Sequence, residues 1–177
     1  MKGMAKGRRG RESAADMVRS LGLVLLVVVG VWFFARPPQS DEQKIRVVDP
    51  TSDVQAFSSA VPGSAVPRTM PTGWQTTVSR FDADTGLLRL GWVTPDGNYA
   101  EYAATPHATQ RFLSDITGGG APMSDSIDIG GTSWTQYRKA DAISLVHVFG
   151  TTTVVLGTVR NTATLDELRV LAGRLAS

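Results

Sequence analysis

Residues Leu21–Ala35 read Leu-Gly-Leu-Val-Leu-Leu-Val-Val-Val-Gly-Val-Trp-Phe-Phe-Ala, fifteen positions without a charge. A segment this apolar has no polar face to turn towards water, so it cannot sit on an aqueous surface as an amphipathic helix does. At about 1.5 Å per residue it gives roughly 22 Å of helix, short of a hydrocarbon core of about 30 Å. Adding Met17–Ser20 brings the length to roughly 28 Å. Arg19 then falls at the inner edge, where its long stem can snorkel to the headgroups. Trp32, Phe33 and Phe34 fall at the opposite edge, the level of an aromatic belt. The expectation is a transmembrane helix over Met17–Ala35.

Flanking charge sets the expected orientation. Lys2, Lys6, Arg8, Arg9, Arg11 and Arg19 stand on one side of the run against Glu12 and Asp16, and only Arg36 follows it closely. The excess of basic residues predicts an N-terminus in the cytoplasm and a C-terminal part outside the cell membrane. A cleaved signal peptide is the rival reading. The run ends in Trp-Phe-Phe-Ala-Arg-Pro-Pro, which offers no small-x-small cleavage site, and with no Cys in the chain there is no lipoprotein attachment point. The predicted organisation is a basic stub (1–16), a single membrane span acting as an uncleaved signal anchor (17–35), a Pro-bearing tether (36–44) and an extracytoplasmic domain (45–177).

The formal net charge of +2 hides an asymmetry. Residues 1–36 carry seven basic and two acidic residues, whereas 37–177 carry eleven basic and fourteen acidic. The basic balance belongs to the stub, where an anionic inner leaflet accounts for it. The acidic domain argues against nucleic-acid binding. The absence of Cys removes disulfides, thiol nucleophiles and thiolate metal sites, so the domain must be held by its core. About 130 residues bury enough surface for that.

Along the domain, Asp49-Pro50 predicts a helix start, with Val54, Phe57 and Val61 as its apolar side and Pro62-Gly63 as its stop. Turn signals at Asp82–Gly86 and Thr94–Asn98 separate strands over Thr76–Phe81, Leu87–Val93 and Tyr99–Ala104. Leu88, Leu90 and Trp92 alternate with Arg89 and Gly91, as in a half-buried strand. Thr105-Pro106 opens a second helix with Ala108, Phe112 and Ile116 in phase, ended by Gly118-Gly119-Gly120. Four more strands follow, over Ser124–Ile129, Thr132–Arg138, Ile143–Phe149 and Thr151–Val159. Thr164-Leu-Asp-Glu167 is a capping box for a last helix, with Leu165, Leu168, Leu171 and Leu175 on one stripe. The fold class predicted is α+β: one antiparallel sheet of about six or seven strands, with about three helices packed against one face.

The basic stub, the single span, Val-Val-Asp-Pro50, Pro-x-Gly-Trp74, Leu-x-x-Gly-Trp92-x-Thr-Pro-Asp-Gly97 and Gly-Gly-x-x-Trp134 together resemble the domain-of-unknown-function 4245 family. The resemblance covers nearly the whole chain and implies a small envelope protein of the high-GC Gram-positive type. It implies no activity, cofactor or catalytic residue. The sheet-plus-helix layout is also similar to that of lipoprotein-carrier and PsbP-like domains, an analogy of fold alone.

The chemical motifs are sparse. Asp84-Thr85-Gly86 matches the aspartic-protease tripeptide, but that chemistry needs a second carboxylate and apolar residues before the Asp; a hairpin turn is the better reading. Asp82, Asp84, Asp96 and Asp125 lack the spacing of a calcium loop. His107 is expected exposed near a helix start, and His147 in phase with Leu145 and Phe149 as a hydrogen-bonded core residue. There is no nucleophile elbow and no His-Glu-x-x-His. No catalytic residue, metal or cofactor is therefore expected. Trp74, Trp92, Trp134 and Tyr137 are the large aromatics of the domain. They are expected either in the core or lining a cleft for an apolar ligand. The sequence thus points to a non-enzymatic envelope protein that binds a protein or lipid partner. An accessory subunit of a membrane complex and an envelope hydrolase are the alternatives.

Overall fold

A computed structural model describes residues 12–34, 46–140 and 142–176. The chain divides into two compact units, Met1–Lys44 and Ile45–Ser177. The tether expected at 36–44 and residues 1–11 of the stub lie outside the described residues.

The first unit contains helix α1, Glu12–Phe34. Its apolar side chains from Leu21 to Trp32 are exposed in turn around the whole circumference. Among the described residues no helix is long and apolar enough to cross a membrane. The uninterrupted run with described side chains, residues 21–32, rises about 18 Å, well under the hydrocarbon thickness. The expected span Met17–Ala35 runs past it on both sides, and Ala35 lies outside the described residues.

The second unit is α+β. Helix α2 (Thr51–Ala60) leads to β1 (Val66–Pro67), then to the meander β2 (Gln75–Asp82), β3 (Leu87–Val93) and β4 (Tyr99–Thr105). Helix α3 (Gln110–Ile116) connects to a second meander of β5 (Ala121–Ile129), β6 (Thr132–Lys139), β7 (Ala142–Phe149) and β8 (Thr152–Leu156). Helix α4 (Leu165–Ala172) and β9 (Leu175–Ala176) close the chain. The main sheet has seven antiparallel strands in the order β2-β3-β4-β8-β7-β6-β5, and β1 pairs with β9 in a separate ribbon. Each meander is local. The two are joined by one ladder, β4 to β8, running from Tyr102 opposite Leu156 to Thr105 opposite Thr153.

Burial explains the layers. On one face Leu88, Leu90, Trp92, Ala100, Tyr102, Ala104, Trp134, Leu145, Val154 and Leu156 pack with Phe57 of α2 and Leu168 and Leu171 of α4. On the other face Ala103, Val146 and Val155 pack beneath Ile116, Phe112 and Leu113 of α3. The expectation of helices on one face is corrected here. The central strands β4, β7 and β8 are apolar at odd and even positions alike, so both of their faces need cover. Helix α3 supplies the second cover.

Several boundaries also differ from expectation. Helix α3 starts at Gln110 because the Thr109 hydroxyl accepts from the Phe112 N–H and caps it. Thr105 stays in β4, its hydroxyl accepting from the His107 N–H. Leu175 leaves the α4 stripe because Gly173 ends the helix, and it pairs with Pro67 instead. Strand β8 stops at Leu156 because Gly157 turns the chain at φ +75°. The capping box forms as expected: Thr164 Oγ1 accepts from the Glu167 N–H, and Glu167 accepts from the Thr164 N–H. Asp49 accepts from the Thr51 N–H at 3.0 Å while Pro50 holds the cap position of α2.

Gly157 yields a test. A Cβ there would stand 2.6 Å from the Ile143 carbonyl oxygen, in a backbone conformation L-residues avoid. Gly157→Ala should cost about 2–4 kcal/mol. Gly150→Ala, at φ +58° with nothing within 4 Å, should cost only about 1–2 kcal/mol. Denaturant unfolding followed by tryptophan fluorescence checks the ranking.

Candidate functional site

The face covered by α3 carries the polar features of the domain. Because β3 pairs with β4 so that Arg89 faces Ala103 and Gly91 faces Glu101, these residues project on the side opposite Leu88, Leu90 and Trp92. Glu101 is only 1% exposed. Its Oε1 accepts from Arg89 Nε at 2.6 Å and ion-pairs with the rest of that guanidinium. Its Oε2 accepts from the Thr158 hydroxyl at 2.6 Å. Its backbone carbonyl accepts from the Gly157 N–H. A buried carboxylate left without such partners would be severely destabilising. Here every oxygen is engaged, and the carboxylate bridges β3, β4 and the loop after β8.

Tyr99 lies on the same face with its hydroxyl over the bare Cα of Gly91. Burial pushes its phenol up to about 12, and the charge of Glu101 adds to the rise. Burial likewise raises the phenol of Tyr102, whose hydroxyl donates to the Ala65 carbonyl at 2.8 Å.

Two clefts flank α3. The first, about 440 Å³, has an apolar floor of Leu87, Phe112, Ile116 and Val159, with Arg89, Arg111, Thr109 and Asp115 around it. A smaller hollow of about 230 Å³ beside it shares Leu87 and Arg89 and adds Arg80 and Asp82. The second cleft, about 470 Å³, is uncharged in its facing side chains and includes Gln110, Thr135, Tyr137 and Thr153. A larger groove of about 570 Å³ runs along α2 past Gln55, Ser58, Ser64 and Arg68. It is an open trough of mixed apolar and polar lining, with Arg68 as its charged residue.

The four aromatics expected as core or ligand contacts do not converge. Trp92 and Trp134 are each 1% exposed and belong to the core under α2 and α4. Both indole N–H groups are buried without an acceptor. Trp74 is half-buried at the margin of that core. Tyr137 stands on the other face, against the α3 core, and is the one of the four that lines a cleft. His147 is half-buried rather than sealed in the core. Its Nδ1 lies 2.8 Å from the Ser133 carbonyl and donates to it, and its ring packs on Trp134 and Phe149. His107 is exposed. Asp84-Thr85-Gly86 is a turn, in which the N–H groups of Asp84 and Thr85 donate to Asp82. Among the described residues no three His, Asp or Glu side chains gather as metal ligands would.

The model of the protein family of unknown function DUF4245 matches residues 9–175. The chain belongs to that family. Its match takes in α1 together with the whole sheet, so both units are parts of the DUF4245 unit. No curated protein and no solved structure matches the chain.

Sequence reasoning passed over Arg89, Glu101 and Thr158. Arg89 was read as the polar phase of a strand. Glu101, flanked by Tyr and Ala in an apolar strand, is the signal that a buried ion pair awaits a partner. Two outcomes follow. Arg89→Ala strands a buried carboxylate and should cost about 3–5 kcal/mol. Glu101→Gln leaves an arginine that is 34% exposed and reaches water, so about 1–2 kcal/mol is expected. Denaturant midpoints of the two variants decide the order. The second outcome concerns alkaline pH. The folded state favours the neutral Tyr99 phenol, so that stabilisation is complete below the ordinary value of about 10 and drains away as pH rises towards about 12. Tyr99→Phe should therefore flatten the fall of the unfolding midpoint between about pH 10 and 12.

Proposed function

We propose that this DUF4245 chain is a single-pass membrane protein of the cell envelope that holds a non-catalytic binding domain on the outer side. The observation that carries the reading is α1: between Leu21 and Trp32 its large apolar side chains are exposed all round. An aqueous protein does not leave such a surface bare. With the flanking residues 17–20 and 33–35 the sequence has the length a bilayer needs, and the basic stub orients it with the N-terminus inside.

The binding role of the domain rests on what its polar groups are committed to. Glu101 is spent on Arg89 and Thr158, and His147 on a backbone carbonyl. Both Glu101 oxygens are taken, and the bond to Ser133 uses only Nδ1 of His147, whose ring packs on Trp134 and Phe149. The clefts beside α3 have the size of ligand sites, and where His147 lines one of them with Ser133, Thr135 and Thr153, no hydroxyl among the described residues hydrogen-bonds its ring. A binding surface for an apolar ligand or an envelope protein fits this arrangement better than a hydrolase.

The chain has no Cys, so single introduced cysteines report topology without background. Asp96→Cys should react with a membrane-impermeant maleimide in intact cells, and Lys6→Cys only after permeabilisation. The reverse pattern, or recovery of the protein in the soluble fraction, defeats the anchor. Crosslinking of the full chain, beside a version with 17–35 replaced by an unrelated span, then locates recognition. A partner retained by both places it in 45–177; a partner lost on the swap favours an accessory subunit assembled through its helix.

A further inference from the structure

Arg80 and Arg89 stand directly opposite each other across the β2–β3 ladder. Two like charges in register on one face of a sheet repel and cost stability. The acids nearby do not resolve the pair evenly. Glu101 lies behind Arg89 and engages it. Asp82 lines the same hollow but its Oδ1 accepts two turn N–H groups. Asp115, 3.8 Å from Arg111, forms a loose pair in which both side chains are largely exposed. Among the described residues Arg80 has no hydrogen-bond or ion-pair partner. Arg80 and Arg89 line one hollow, and Glu101 uses only part of the Arg89 guanidinium. The hollow shares Leu87 and Arg89 with the apolar cleft floored by Phe112, Ile116 and Val159, so the two lie side by side.

We infer that this hollow and cleft together bind a single-chain anionic amphiphile, a long-chain carboxylate, with its headgroup between Arg80 and Arg89 and its chain along Leu87, Phe112, Ile116 and Val159. Guanidinium forks match a carboxylate bidentately. The arrangement supplies unspent donors at one end and an apolar trough at the other. A cleft of about 440 Å³ lies in the lower part of the range for small ligands, about 300–1,000 Å³, which suits one acyl chain better than two. Arg111 stands at the rim, 91% exposed, where it can close over the carboxylate. The inference deepens the binding-domain reading above and rests on it.

The test uses the full chain in non-ionic detergent micelles and a palmitate carrying a diazirine on its chain, with crosslinks mapped by mass spectrometry. Labelling of α1 serves as the reference for non-specific apolar contact. Labels are expected on the segments holding Leu87 and Phe112–Ile116, displaced at least ten-fold better by oleate than by oleyl alcohol. Arg80→Gln should lower that labelling several-fold with α1 labelling unchanged. Arg80→Lys, which keeps the charge but loses the fork, should fall between. Arg80 is exposed, and the tryptophan emission of each variant verifies its fold. Equal displacement by the neutral alcohol overturns anion recognition. Better displacement by dioleoyl phosphatidylglycerol than by oleate overturns the single-chain occupant. Labels confined to α1 overturn the site itself, while the partner crosslinking of the preceding subsection still decides whether the domain is a binding module.

Discussion

The architecture of the 45–177 unit depends on one seam, the ladder between β4 and β8. Every other neighbour in the seven-stranded sheet is a hairpin made by adjacent sequence. Without the pairing of Tyr102–Thr105 with Thr153–Leu156 there would be two separate meanders of three and four strands, and the cores on both faces, which draw on strands of each, would be divided. Glu101 is built into the end of that seam. Its carboxylate ties Arg89 on one side and Thr158 on the other, and its backbone carbonyl takes the Gly157 N–H that turns the chain away from β8. A buried ion pair is a poor source of net stability, and removing one partner is costly. The Arg89 contact lies within the first meander; the Thr158 hydroxyl and the Gly157 N–H are what tie Glu101 to the second.

The seam also makes the sheet two-sided. Strands at its centre are covered on one face by α2 and α4 and on the other by the short helix α3. Seven residues of helix cannot cover a seven-stranded sheet, so the second face is only partly roofed. The clefts on either side of α3 follow from that shortfall. One inherits the charged strip of β2 and β3, the other the neutral strip of β6 and β7. Their chemistry differs because the strands beneath differ.

Much of this order was legible in the sequence. The turns at Asp82–Gly86 and Thr94–Asn98, the alternation of Leu88, Leu90 and Trp92, and the Thr164 capping box are local signals, and local signals survive without knowledge of partners. What the sequence could not give was pairing across distance. The apolar run Ile143–Phe149 is compatible with burial on both faces, but nothing in it says that α3 would supply the second cover. Leu175 matches the helical stripe of α4 by spacing and is diverted because Pro67 waits for it across the chain. The site was least legible of all. Trp92 and Trp134 are the showiest side chains and are sealed in the core, whereas the groove is lined by Arg80, Leu87 and Arg89, which look in sequence like an ordinary half-exposed hairpin. Residue type advertises burial well; the company a residue keeps is set by topology.

That β4 pairs with β8, and not with a strand beside it in the chain, bears on how the protein is made. The first meander is complete at residue 105, yet its inner strand pairs with a neighbour roughly fifty residues further along the chain. Throughout that interval β4 offers an open row of backbone donors and acceptors beside an apolar surface, the arrangement that invites wrong pairing between chains. That edge is covered only when Thr152–Leu156 slots in between β4 and β7.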